Sequence, residues 1–383
     1  MRINEKPEIR FLMLRKRDAQ HFIQSIKDKF KNVQIIDQKY EILYENEYIL
    51  FPLIDDQEHL GNLYDFIEKK FIFKLVYRKG VPNLNYKYRS LQEALKSKIP
   101  EICLNSIPQS YDIIGDIATI EFDTSCFSNS VEHIKYKKII ADAVIDVNKN
   151  VKSVFEKKSE IKGAYRLREL ALLAGENKSE TFHKENDCIF KLDIKKTYFS
   201  PRLVFERRRI STLKMNENEI IVDMFSGVGP FSIQIANQIK VVIYAFDINP
   251  MAYQYLKENI ELNKLKGKII PHNINIEDLT DPESLIGKNL HHKADRIIMN
   301  LPEKAADFIN TTCYLMKKSG GILHFYCFSE KPNPIEKAKE FLKTKFKSLH
   351  WNIEKTLNSK VVKSYSPKED LIVLDVYLQY LES

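Results

Sequence analysis

Apolar positions change their spacing along this chain, and the change divides it. Up to about residue 80, short alternations such as Tyr48-Ile49-Leu50-Phe51-Pro52-Leu53 stand beside an amphipathic stretch from Ala19 to Phe30, the pattern of a small α+β unit. The run Lys79-Gly80-Val81-Pro82-Asn83-Leu84-Asn85-Tyr86 collects glycine, proline and asparagine and reads as a linker, which sets a first domain at 1–80. Ser90-Leu91-Gln92-Glu93 then has the form of a capped helix start, and Tyr111 to Phe122 that of a hairpin-like strand segment. A mixed α+β middle domain is expected over 81–190. From 191 to 383, strand candidates at Ile220–Val222, Val241–Phe246, Lys268–Pro271, Arg296–Asn300 and Gly321–Phe328 alternate with helical stretches. That alternation predicts an α/β domain with a mainly parallel sheet covered on both faces.

Composition narrows the class. At 383 residues two or three domains are expected, and 60 Lys plus Arg against 52 Asp plus Glu give a net charge of +8, which suits a surface that meets a polyanion. Cys103, Cys126, Cys188, Cys313 and Cys327 are scattered without ligand spacing, so neither a disulfide framework nor a metal site is indicated and a reducing cytoplasm is expected. The N-terminus Met1-Arg2-Ile3-Asn4-Glu5-Lys6 is charged from the outset. No apolar run reaches membrane-spanning length, so no membrane association is expected.

The sharpest local signal is Ile220-Ile221-Val222-Asp223-Met224-Phe225-Ser226-Gly227-Val228-Gly229-Pro230-Phe231, followed by Tyr244-Ala245-Phe246-Asp247-Ile248-Asn249-Pro250. Glycines at 227 and 229 let the backbone approach a ligand closely, and an acid about twenty residues later can accept hydrogen bonds from ribose hydroxyls. The third glycine of a dinucleotide fingerprint is replaced by Ser232, and the Gly-Lys-Ser/Thr of a P-loop is absent. A pyrophosphate is therefore not indicated. Asp223, at the strand end, is placed to meet an amino-acid ammonium, which favours S-adenosylmethionine over NAD. The same residues also suit an ordinary strand, turn and helix.

Three further segments carry candidate chemistry. Tyr198-Phe199-Ser200-Pro201-Arg202-Leu203-Val204-Phe205-Glu206-Arg207-Arg208-Arg209-Ile210 sets one carboxylate among arginines and aromatics. It is either a catalytic acid in a nucleic-acid-binding ridge or a helix start in which Glu206 pairs with its neighbours. Asn300-Leu301-Pro302 ends a strand where open α/β sheets bind ligands, and an asparagine amide suits a purine edge. A strand-ending turn accounts for it equally well. Gly163-Ala164-Tyr165-Arg166-Leu167-Arg168-Glu169-Leu170 places two arginines beside an aromatic, for substrate contact or as a solvated helix face.

Together these segments resemble the archaeal and eukaryotic tRNA guanosine-37 N1-methyltransferase family, including archaeal members that also methylate wyosine precursors. The resemblance runs from about Ser90 to the end and rests on Tyr165-Arg166-Leu167-Arg168-Glu169, Ser200-Pro201-Arg202-Leu203 with Glu206-Arg207, and Asn300-Leu301-Pro302, in this order. It implies a class I, Rossmann-like methyltransferase domain with a mixed α+β middle domain and a small α+β N-terminal domain that grips the tRNA elbow. It also implies tRNA as partner, S-adenosylmethionine as methyl donor, no metal, and monomeric action. Glu206 is implied as general base, Arg166 at guanine O6, and Tyr198 with the Asn300 loop around the flipped nucleotide.

The implied cofactor contacts are Asp223, Phe225, Gly227, Gly229 and Pro230 around the methionine part and Asp247, Ile248 and Asn249 around the ribose. Arg202 and Asn300 complete that set. Where such proteins commonly carry an acid toward the adenine, this chain offers Asn275, with Asp278 as the alternative. Related activities in reach are methylation at C7 of 4-demethylwyosine, aminocarboxypropyl transfer, and tRNA binding without catalysis.

Overall fold

A computed structural model describes residues 7–31, 33–55, 57–96, 98–128 and 130–381; the charged segment Met1–Lys6 lies outside them. Contacts divide the chain into two units, Met1–Arg89 and Ser90–Ser383.

In the first unit β1 (Glu8–Arg15), β2 (Leu43–Glu45), β3 (Tyr48–Pro52) and β4 (Phe73–Lys79) form an antiparallel sheet in the order β2-β3-β1-β4. Helices α1 (Ala19–Lys29) and α2 (Gln57–Ile67) supply Phe22, Ile26, Leu60 and Leu63 to a core shared with Leu12 and Phe51. The segment expected as a linker is tied into this unit: Glu41 donates its backbone N–H to the Val81 carbonyl, and Asn83 to that of Lys39.

The second unit begins with two short helices, α3 (Leu91–Leu95), whose first turn is capped by Ser90 accepting from the Glu93 N–H at 3.1 Å, and α4 (Glu101–Asn105). The expected hairpin is β5 (Asp112–Ile114) and β6 (Ile117–Ile120). It turns at Gly115, φ +58°, where a Cβ would lie 2.1 Å from Thr181 Oγ1. With α5 (Val131–Val147), β7 (Ser153–Lys157) and β8 (Leu170–Gly175) it builds a sheet in the order β5-β6-β7-β8. The hairpin of β9 (Glu180–Glu185) and β10 (Cys188–Asp193) follows, then α6 (Val204–Ser211).

The remaining elements are β11 (Ile220–Asp223), α7 (Pro230–Gln238), β12 (Val242–Phe246), α8 (Pro250–Leu262), β13 (Lys268–His272), α9 (Leu285–Leu290), β14 (Arg296–Met299), α10 (Ile309–Leu315), β15 (Gly321–Glu330), α11 (Pro334–Lys347), β16 (Trp351–Ser364) and β17 (Glu369–Tyr380). All five strand candidates of the C-terminal part are present, in one seven-stranded sheet ordered β13-β12-β11-β14-β15-β17-β16. Asn259 of α8 ties β10 to this domain, accepting from Lys191 N–H at 2.7 Å and donating to its carbonyl at 3.0 Å.

The antiparallel pair β16–β17 was not among the expected strands. β17 is buried on both faces and shows no alternation, while register shifts interrupt the period of β16. Strand order reverses beside β11, which has β12 on one side and β14 on the other, so the crevice at their carboxyl ends is where an open α/β sheet receives a ligand.

Candidate active site

The glycine turn opens that crevice. Gly229, φ +91°, precedes Pro230 at the start of α7, and a Cβ there would meet Leu256 Cδ1 at 2.5 Å. Gly227, φ +54°, is different: the nearest atom to a Cβ would be the Tyr198 carbonyl oxygen at 3.8 Å. That contact brings the Tyr198 segment to the rim of the turn.

Asp223 is 1% exposed. Its Oδ2 accepts from Ser232 Oγ at 2.6 Å, while its Oδ1 is buried without a partner. Burial pushes its carboxyl up to about 7, with the nearby Asp247 charge adding and the Ser232 hydrogen bond opposing. A buried carboxylate oxygen with nothing to accept is expensive, and a ligand ammonium would satisfy it. Asp247 accepts from Gly227 N–H at 2.7 Å and Asn249 N–H at 2.8 Å, and burial raises its carboxyl despite both bonds. Each oxygen keeps a lone pair for a hydroxyl. The donor set therefore fits a nucleoside that carries an amino-acid arm.

The other residues expected around the cofactor have more varied settings. Phe225 packs edge-on against Phe308 with centroids 4.8 Å apart, and Ile248 is 41% exposed. The Asn249 side chain caps α8 and donates to the Lys196 carbonyl, so it shapes the site from behind. Asn275 caps the turn Ile276–Thr280, accepting from Glu277 N–H at 3.4 Å, and Asp278 lies within that turn.

Beside the cradle, a cleft of about 540 Å³ is lined by Arg166, Tyr198, Arg202, Asn300, Lys157 and Lys363 among others. Arg166 stands in the tight turn closed by the Lys162–Leu167 bridge, with φ +54°, a conformation that costs a non-glycine residue about 1–2 kcal/mol. Its guanidinium lies 4.4 Å from the Tyr198 ring centroid, its Nη2 donates to Glu303 at 3.1 Å, and its buried Nε has no partner. Asn300 follows β14, whose Ile298 pairs with Asp223, so the amide stands across from the cradle.

Arg202 joins the cleft rather than the glycine turn, with Nε 2.6 Å from Asp112 Oδ1. Burial and the charges of Arg202, Arg166 and Lys157 lower the pKa of Lys363, against the pull of Asp112. The wall is thus crowded with cations.

Glu206 is 2% exposed and does not line the cleft, although Leu203, one turn earlier, does. Its Oε1 faces Arg209 Nε at 2.9 Å and Lys360 Nζ at 2.5 Å; its Oε2 accepts from Arg209 Nη2 at 2.9 Å and Tyr326 OH at 3.0 Å. Burial alone would raise its pKa, but Arg209 and Lys360 outweigh it and hold the carboxyl below its ordinary value. Glu303, Lys360, Tyr326 and Asp375 were not legible as site residues. Only Glu303 had a signal, its place directly after Asn300-Leu301-Pro302.

Among the described residues no group of His, Cys, Asp and Glu could hold a metal ion, and no helix is long and apolar enough to cross a membrane.

Comparison with known proteins agrees with this geometry. Residues 181–354 match the TRM5/TYW2 methyltransferase domain and residues 91–178 the TYW2 N-terminal domain. A Methanocaldococcus jannaschii protein named tRNA (guanine(37)-N(1))-methyltransferase Trm5b is 37% identical over 343 residues, 89% of this chain and 91% of that one. A Pyrococcus abyssi protein of the same name is 39% identical over 285 residues, 74% and 78% of the two chains. A Saccharolobus solfataricus protein named tRNA 4-demethylwyosine(37)-methyltransferase Taw21 is 33% identical over 267 residues, 69% and 92%.

Among solved structures, the complex of aTrm5 and tRNALeu superposes with a TM-score of 0.69 at 34% identity, covering 96% of this chain and 99% of that one. M. jannaschii TYW2 in complex with AdoMet superposes with a TM-score of 0.53 at 28% identity, covering 71% and 100%. With an identity of 37% across nine-tenths of a relative, a matching catalytic domain and a cradle of the right chemistry, the chain belongs to the TRM5/TYW2 methyltransferase family.

Proposed function

We propose that this chain transfers a methyl group from S-adenosylmethionine to N1 of guanosine 37 in the anticodon loop of tRNA. The observation that carries the reading is the juxtaposition of two half-sites: the unpartnered Asp223 Oδ1 in the glycine cradle, and the Arg166–Tyr198 pair in the adjoining cationic cleft. When bound, S-adenosylmethionine supplies an electrophilic methyl group on a sulfonium.

Asp223 takes the ammonium and Asp247 the ribose hydroxyls. Phe225, Gly227, Gly229, Pro230, Ile248, Asn249 and Asn275 shape the remaining wall. Arg202 and Lys363 meet the phosphates of the anticodon loop, Tyr198 stacks on the extruded base, and Asn300 reads its edge. Arg166, whose Nε already lacks a partner, donates to guanine O6 as charge moves there. Glu206 receives the N1 proton. Its depressed pKa keeps it ionised, and N1–H replaces the Lys360 ammonium, the partner of Glu206 on β16 whose side chain is 41% exposed.

Guanosine is favoured over the wyosine precursor because the two relatives of higher identity carry the guanine-37 name. The test is to incubate the protein with labelled methyl donor and tRNA transcripts bearing guanosine or another base at position 37, then to identify the product nucleoside. Label that appears whatever base stands there rejects the assignment, and tRNA carrying 4-demethylwyosine separates the two methylation reactions.

A further inference from the structure

The face of β15, β16 and β17 that meets α6 carries a buried polar cluster beside the apolar Val373 and Leu371. Register sets His324 of β15 and Asn358 of β16 opposite Asp375 of β17, and Tyr326 and Lys360 follow two residues along on the same face. Asp375 is 2% exposed and fully engaged: Oδ1 accepts from His324 Nδ1 at 2.6 Å, and Oδ2 from Arg209 Nη1 at 2.5 Å and Asn358 Nδ2 at 3.1 Å. His324 Nε2 lies 2.9 Å from Arg296 Nη1, which can only donate, so the imidazole proton sits on Nδ1. Arg296 is itself paired with Glu219 at 2.6 Å.

The chain of contacts ends on Glu206. One edge of the Arg209 guanidinium, Nε and Nη2, spans both Glu206 oxygens at 2.9 Å. The other, Nη1 and Nη2, takes Asp375 at 2.5 and 3.3 Å. A single fork thus holds two carboxylates, and only Arg can do so. The groups facing Glu206 are Arg209 of its own helix, Tyr326, Lys360 and, beyond Arg209, Asp375: two cations against two carboxylates. Apolar residues of equal volume often serve stability as well as a buried ionic cluster, so stability alone is weak ground for this one.

We propose that Asp375 is a positioning residue for methyl transfer: acting through Arg209, it fixes the direction in which the Glu206 carboxylate faces. The inference rests on the reading of Glu206 as the base. His324 and Arg296 anchor Asp375 in turn, so orientation is set from the middle of the sheet outward to the reacting atoms.

The experiment is a double-mutant cycle read by single-turnover methyl transfer to guanosine-37 tRNA, with dissociation constants for tRNA and methyl donor measured alongside. Asp375→Asn is expected to slow transfer by roughly ten- to a hundredfold, the scale of a small misplacement, with both dissociation constants kept. In a Glu206→Gln background the same change is expected to add no further loss, because Asp375 acts only through Glu206. Equal losses in both backgrounds, or an unaffected rate, overturn the proposal. If Asp375→Asn does not fold, Arg209→Lys is taken through the same cycle, since it keeps the charge on Glu206 but cannot span both carboxylates; a full rate there overturns it too. Should Glu206→Gln itself turn over at full rate, the base assignment fails; a slow Glu206→Gln beside a full-rate Asp375→Asn removes only this inference.

Discussion

The Arg166 guanidinium lies 4.4 Å from the centre of the Tyr198 ring, and its buried Nε has no hydrogen-bond partner. A planar cation over an aromatic ring, held in a left-handed turn and bonded to Glu303, is positioned before any substrate arrives. Lysine has neither the plane nor the fork to repeat this. Arg166→Lys should therefore slow single-turnover transfer by about a hundredfold, the usual scale for losing one donor to a developing charge, while methyl-donor affinity stays unchanged. A rapid-quench measurement showing an undiminished rate would remove Arg166 from the chemistry.

Asp223 gives a pH signature. Burial pushes its carboxyl up to about 7 in the absence of a ligand, so below that pH it is mostly protonated and must lose a proton to pair with an ammonium. Methyl-donor affinity should weaken about tenfold per pH unit below about 7 and level off above it. Calorimetric titrations from about pH 5 to 8 check this, and binding should release up to one proton at the acid end. A dissociation constant flat across that range would mean that the ammonium does not meet Asp223.

The cradle was legible because its chemistry is local: strand, two glycines and an acid on the next strand fall within about thirty residues, and each type is demanded by backbone geometry or ribose chemistry. The ordering of Glu206 was not legible. Its partners Tyr326 and Lys360 stand 120 and 154 positions later, and Asp375 reaches it only through Arg209. The strands that carry Lys360 and Asp375 lack a clean period, because β17 is buried on both faces and β16 is bulged. A lysine or aspartate in such a strand has no neighbour in sequence to disclose its use. The segment 79–86 misled in another way: its glycine and proline suit a linker, yet its backbone bonds to residues 39 and 41, a pairing only the tertiary structure sets.

The two glycines of the turn should respond differently to alanine. Both have positive φ, so each change costs on the order of 1–2 kcal/mol in backbone strain. At Gly229 the new methyl would also lie 2.5 Å from Leu256 Cδ1 and 2.9 Å from Ile233 Cδ1, inside a packed helix interface. At Gly227 nothing lies closer than the Tyr198 carbonyl at 3.8 Å. Gly229→Ala should thus lower the thermal midpoint more than Gly227→Ala, whereas Gly227→Ala should weaken methyl-donor binding out of proportion to its effect on stability. Equal midpoints for the two would contradict the packing argument.

Arg207 makes the acid response of the fold predictable. It is 2% exposed, grips Glu185 with two hydrogen bonds of 2.6 Å, and donates to the Ser200 carbonyl at 3.0 Å, so it ties the hairpin β9–β10 to the loop that presents Tyr198. Burial alone would raise the Glu185 carboxyl, but hydrogen bonds from His183, Arg207 and Gln234 with the Arg207 charge bring it down to about 2. A depressed carboxylate stabilises the fold fully above its unfolded value, near 4.3, and that contribution disappears as pH falls through about 2. Holding the carboxylate ionised that far into acid is worth about 3 kcal/mol to the fold. Glu185→Gln at neutral pH leaves Arg207 buried without its counter-charge, a loss of about 3–5 kcal/mol. Since the affected unit spans residues 90–383, the midpoint should drop by roughly 10 °C. Thermal unfolding of the two proteins should show this gap at pH 7 and its closure as the buffer is taken from about pH 4 toward pH 2; a gap that stays constant down to the lowest pH would show that the Glu185–Arg207 pair does not titrate as a unit.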